Sequence, residues 1–149
     1  MLSKDVVSVI GQYLDVSDLK NCRLVSKLFN RGIIIELISR CTFTYKQIEK
    51  MVDNKVFLKS VRRVTNVDLE ILEKLNQLRI LNNIKHLTFG TSFNQKIENI
   101  LPSSLTHLTF GKCFDQQIEN ILPSSLTHLK LSKNYPHKVE IPNLFIKYV

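Results

Sequence analysis

The eleven residues ENILPSSLTHL stand at positions 98–108 and again at 119–129. Aligned on that duplication, IKHLTFGTSFNQKIENILPSS (84–104) and LTHLTFGKCFDQQIENILPSS (105–125) agree at 15 of 21 positions. A third unit, LTHLKLSKNYPHKVEIPNLF, follows from 126 and is one residue shorter, and IKYV at 146–149 echoes the IKHL at 84. Upstream, VRRV at 61 opens a degenerate unit of 23 residues. Strand starts are therefore expected at Val61, Ile84, Leu105, Leu126 and Ile146.

A fixed period of about 20 to 23 residues lies in the leucine-rich-repeat range, where each unit is a strand plus a return connection that buries its apolar side only against its neighbours. The expected fold is a short right-handed parallel solenoid. In LTHLTF, Leu105, Leu108 and Phe110 carry the inward pattern, while His107 and Thr109 point out. Farther round each coil, Phe93, Phe114 and Tyr135 align, as do Ile97, Ile118 and Val139, and Leu101, Leu122 and Ile141. These are expected core columns. Leu-Pro-Ser-Ser at 101–104 and 122–125 is read as the corner, with proline restricting φ and the serines satisfying turn backbone groups. Gly90 and Gly111, each just after a strand, are expected to take a positive φ at a tight bend.

The repeated segment resembles the FNIP repeat, found in long arrays in social amoebae and giant viruses. Its Phe-Asn-x-x-Ile signature reads here as Phe93, Asn94, Ile97 and then Phe114, Asp115, Ile118. The resemblance covers residues 84 to the end: one repeat at 84–104, one at 105–125, and a degenerate repeat with a last strand at 126–149. Residues 61–83 form a degenerate first repeat.

The amino-terminal stretch reads as three short helices. Val6, Ile10, Tyr13 and Leu14 make one apolar stripe, Leu19, Cys22 and Val25 a second, and Leu28 and Phe29 continue a third. Ser3 can cap the first helix, and Asp15 or Ser17 the second. Residues 1–40 resemble an F-box at Tyr13, Leu14, Asp15, Leu19, Cys22, Arg23, Val25, Ser26, Lys27 and Phe29, although Ser3 stands where that family usually has proline. The resemblance implies docking on a Skp-family adaptor of a cullin-RING ubiquitin ligase, with the repeats holding a target protein. By analogy, Leu2, Ile10, Leu14, Leu19 and Val25 are divided between the adaptor surface and inner packing. The plainer reading makes all of them core of a helical cap, which solenoids need.

Residues 41–60 form a connector, expected to hold a helix around Tyr45–Val52 and a strand-like run near Val56–Leu58. Leu69, Leu72, Leu75, Leu78 and Leu81 have the spacing of a helix on the convex side of the first repeat. The fold class is thus α+β, an F-box-like three-helix unit followed by a leucine-rich-repeat-like parallel solenoid.

Little in the sequence speaks for chemistry. His86, His107 and His128 recur at one strand position and invite a zinc reading, but rungs of a ladder run parallel where zinc ligands must converge. The expected role of these histidines, with Thr88, Thr109 and Lys130, is an exposed polar strip that meets the target protein. Glu98 and Glu119 are repeat positions on a solvated turn, and no serine, cysteine or lysine has the context of a nucleophile. No glycine-rich loop could cradle a phosphate among only four glycines. Neither enzyme activity nor a cofactor or metal is expected. The amino terminus lacks the pattern of a signal peptide, and no apolar run approaches the roughly 20 residues that cross a bilayer.

Cys22, Cys41 and Cys113, an odd number without paired spacing, fit reduced thiols. A cytoplasmic location is expected, in the host cytoplasm if the source is viral. The formal charge of +8 is spread along the chain: residues 1–40 carry six basic and four acidic side chains, 41–83 eight and five, and 84–149 seven and four. That spread disfavours a nucleic-acid face, which concentrates cations without interleaved acids. The expected function is a protein-interaction adaptor, the substrate receptor of an SCF-type ubiquitin ligase. The alternatives are a stand-alone interaction module and, in third place, a basic nucleic-acid binder.

Overall fold

The computed structural model describes residues 38–50, 52–53, 55–118 and 120–149. The F-box-like reading, and with it Leu2, Ile10, Leu14, Leu19 and Val25, lies outside the described residues except for the helical residues 38–40. From there the order is β1 (Thr42–Phe43), α1 (Tyr45–Glu49), α2 (Lys55–Ser60), β2 (Arg63–Val67), α3 (Leu69–Gln77), a 3-10 turn (Leu81–Asn83), β3 (His86–Phe89), β4 (His107–Thr109), β5 (His128–Leu131) and β6 (Phe145–Tyr148).

The six strands form one sheet in sequence order, and every neighbouring pair is parallel. Phe43, Val64, Leu87, Leu108, Leu129 and Ile146 stand opposite one another across it. All but Ile146 are buried. The ladder thus begins one rung earlier than the repeat alignment shows, because Thr42–Phe43 pairs with Arg63–Val64. Phe43 extends the core column, and its ring meets that of Phe57 edge-on at 5.1 Å.

Behind the sheet the aromatic rings stack from coil to coil. Phe89 lies 5.1 Å from Phe110, while Phe93–Phe114 and Phe114–Tyr135 are each 6.0 Å apart with nearly parallel planes. Within a coil, Phe89–Phe93 and Phe110–Phe114 close to 4.1 and 3.8 Å. Tyr135 takes the phenylalanine position in the third repeat at the cost of a buried hydroxyl, which donates to the Gln116 carbonyl at 2.7 Å. Ile97, Ile118 and Val139 form the second expected column, all buried. Leu101, Leu122 and Ile141 differ from expectation: they only flank the core and stay partly exposed.

The signature asparagine acquires a structural role. Asn94 Oδ1 accepts from the backbone N–H of Asp115 in the next coil at 3.0 Å, satisfying a donor that no strand reaches. The corner serines also work between coils and not within their own turn. Ser104 Oγ donates to the Ile84 carbonyl at 2.8 Å, and Ser125 Oγ to the Leu105 carbonyl at 2.6 Å.

Five further expectations are corrected. Val56–Leu58 is helical, within α2, and its burial follows helical period: Phe57, Ser60 and Val61 are buried at i, i+3 and i+4. Helix α1 starts at Tyr45 as expected but ends at Glu49. Helix α3 stops at Gln77, so Leu81 lies in the 3-10 turn. Just past the helix end Arg79 takes φ 55°, and the Ile80 and Arg79 N–H groups bond back to the Leu75 and Asn76 carbonyls, which is a Schellman closure. Neither Gly90 nor Gly111 has a positive φ. The last strand begins at Phe145, which faces His128, so the final coil is shorter than the echo of IKHL in IKYV implies. Asn143, at φ 63°, makes that tighter corner.

Candidate interaction face

The outward side chains of the strands form two columns. Arg63, His86, His107, His128 and Phe145 make the first; Thr88, Thr109, Lys130 and Lys147 make the second. All six residues expected to meet a target therefore come together on one face. The sequence reading missed Arg63, Phe145 and Lys147. Arg63 was legible, because VRRV aligns it with His86, whereas the other two depend on the shortened last coil.

The imidazoles stack face to face, with His86–His107 centroids 4.0 Å apart and His107–His128 centroids 4.3 Å apart. The column closes on Phe145, tilted and 5.6 Å from His128. Hydrogen bonding assigns the tautomers. The Thr106 hydroxyl donates to the Lys85 carbonyl at 3.0 Å and, having one proton, accepts from His107 Nδ1 at 2.9 Å. Thr127 does the same with the Thr106 carbonyl and His128 Nδ1. His107, whose ring is held neutral by burial and by its neighbours, therefore presents a bare Nε2. At His86 the roles reverse: Arg63 Nη1 donates to Nδ1 at 3.3 Å, which leaves the proton on Nε2.

Burial and then the Arg63 guanidinium, with smaller contributions from His107 and His128, push the His86 imidazole down from 6.5 to about 4. His107 is shifted the same way, by burial first and then by His128 and Arg63. These two rings are neutral at pH 7. Parallel stacked rings send their lone pairs out side by side, which is unlike the convergence a metal ion needs. Among the described residues no group of three His, Cys, Asp or Glu is placed to hold one.

Charge that is even along the chain is uneven in space. None of the six strands contains Asp or Glu, whereas Arg63, Lys130 and Lys147 all project from them. The described acids lie on helices, turns and return segments, as in the exposed Glu70–Lys74 and Lys138–Glu140 pairs. A separate cleft on the return side, ≈ 360 Å³, is lined by Lys96, Glu98, Asp115, Gln116 and His137 among others. Its polar groups are partly spent on one another: His137 Nε2 bonds the Asp115 carbonyl and Gln116 bonds Asn94 and Asp115.

Residues 73–113 and 114–144 match the FNIP Repeat family model. The matched residues include β3, β4 and β5, which carry the three histidines. Comparison with curated proteins and with solved structures gives no significant match. No described helix is long and apolar enough to cross a membrane.

Proposed function

We propose that the chain is a non-catalytic adaptor that recruits a target protein on its strand face and acts as substrate receptor of a cullin-RING ubiquitin ligase. The observation that carries the recruiting role is the open face itself. Six parallel strands display polar side chains in register with no covering element among the described residues. Repeat arrays use such continuous surfaces to bind proteins. The ligase role rests on the F-box resemblance of residues 1–40, with Leu2, Ile10, Leu14, Leu19 and Val25 as the adaptor-binding set. Ubiquitin transfer then belongs to other subunits, and this chain supplies proximity.

The test is capture of a purified Skp-family adaptor by the full chain. Binding is expected, and it is lost in Leu14→Asp and Leu19→Asp while thermal unfolding of the repeats is unchanged. Absence of adaptor binding by the wild-type chain removes the ligase role and leaves a stand-alone interaction module.

A further inference from the structure

The strand face carries Arg63 at one end and Lys130 with Lys147 at the other. At one end Arg63 gives one donor to His86, while its Nε is buried with no hydrogen-bond partner. At the other, Lys130 and Lys147 stand directly opposite each other on adjacent strands. Like charges so placed repel, and among the described residues neither lysine nor Arg63 forms an ion pair. Between the ends lie the stacked imidazoles of His86, His107 and His128, beside the Thr88 and Thr109 hydroxyls. Phe145, 61% exposed and tilted against His128, ends the aromatic column.

We propose that this face binds an extended acidic peptide segment that crosses the strands, one carboxylate on Arg63 and another on the Lys130–Lys147 pair. The inference rests on the reading of the face as the recruiting surface and names the chemistry of what it recruits. Strands are about 4.8 Å apart, so β2 to β5 or β6 spans about 14 to 19 Å; an extended chain rises about 3.3 Å per residue, which sets the carboxylates about four to six residues apart. An anion on the lysine pair relieves their repulsion, and a carboxylate beside Arg63 meets a guanidinium that forms no ion pair among the described residues. The intervening peptide residues lie over the stacked rings, where aromatic or aliphatic side chains bury area and a hydroxyl or amide can donate to a bare Nε2. A nucleic-acid strand fits less well, because some of its regularly spaced phosphates would fall on the neutral His86 and His107 rings.

The probe is a fluorescein-labelled peptide with glutamates five positions apart and tyrosine, serine and alanine between them, titrated with the full chain. The expected anisotropy change is saturable, weakens as salt rises from about 50 to about 300 mM, and vanishes when both glutamates are glutamine. Lys147→Glu and Arg63→Gln should each weaken binding about ten-fold. Lys147 is exposed on the last strand, so its variant keeps the test decisive if Arg63→Gln fails to fold. No binding of the acidic peptide, binding that ignores both substitutions, or tighter face-dependent binding of single-stranded oligonucleotide overturns the proposal. A random peptide library selected on the same protein separates the two levels. Neutral sequences whose binding is lost in Lys147→Glu or His107→Glu overturn the acidic segment but keep the recruiting face, whereas no face-dependent sequence overturns both.

Discussion

Gly111 shows how a single residue can be required by the repeat and not by its own backbone. Its φ is ordinary, so freedom of rotation is not what selects glycine. A Cβ there would sit 2.3 Å from the Gly90 carbonyl oxygen and 2.6 Å from Thr91 Cα, backbone atoms of the preceding coil that cannot swing aside. At Gly90 the nearest atom is the Asn66 side-chain oxygen at 3.1 Å, which can yield. Gly111→Ala is therefore expected to lower stability by about 1–3 kcal/mol, the usual range for overpacking, and Gly90→Ala by clearly less. Urea unfolding midpoints of the two variants check this. Equal losses would mean that the coils slide apart freely at this corner. The sequence shows that glycine recurs here; that the constraint comes from the neighbouring coil depends on a distance between chain segments that alternation and spacing do not encode.

At the scale of the strand, the histidine column couples folding to pH. An imidazole in the unfolded chain takes up a proton near 6.5, whereas His86 in the fold does so only near 4. Between those values the unfolded state holds more protons, so stability is full above about pH 6.5 and falls as the pH drops toward 4. His107, shifted in the same direction, adds to the slope. The carboxylate held low by its lysine partner, Glu70, acts only below its ordinary value of 4.5 and leaves the upper part of the window to the histidines. The melting temperature should therefore fall from pH 6.5 to pH 5, and less steeply in His86→Gln, which keeps an acceptor for Arg63. An unchanged slope would show that the ring is freely hydrated. The column itself was legible, since a 21-residue period must stack equal positions. The rung at Thr42–Phe43 and the start of β6 were not: one lies before any repeated spelling, and the other follows a shortened coil where only the turn at Asn143 decides the register.

Across the whole molecule, each coil packs mainly on its two neighbours, and stability becomes a chain of interfaces without a central core. Phe114 occupies the middle of that chain, 6.0 Å from both Phe93 and Tyr135 and 3.8 Å from Phe110, and is 2% exposed. Truncation to alanine removes contacts on three sides in a place the backbone cannot collapse into, for a loss of about 3–5 kcal/mol. That is a large part of the roughly 5–15 kcal/mol that holds a domain together. Phe145, on the open face of the last strand, should cost within about 0.5 kcal/mol when truncated, as exposed positions do. Urea unfolding of Phe114→Ala and Phe145→Ala decides the matter, and similar losses would contradict a solenoid whose strength lies between coils. Paired with peptide anisotropy, the same two variants separate scaffold from surface. Phe114→Ala should weaken binding only under conditions where the coils come apart, whereas Phe145→Ala should weaken it with the melting curve unchanged.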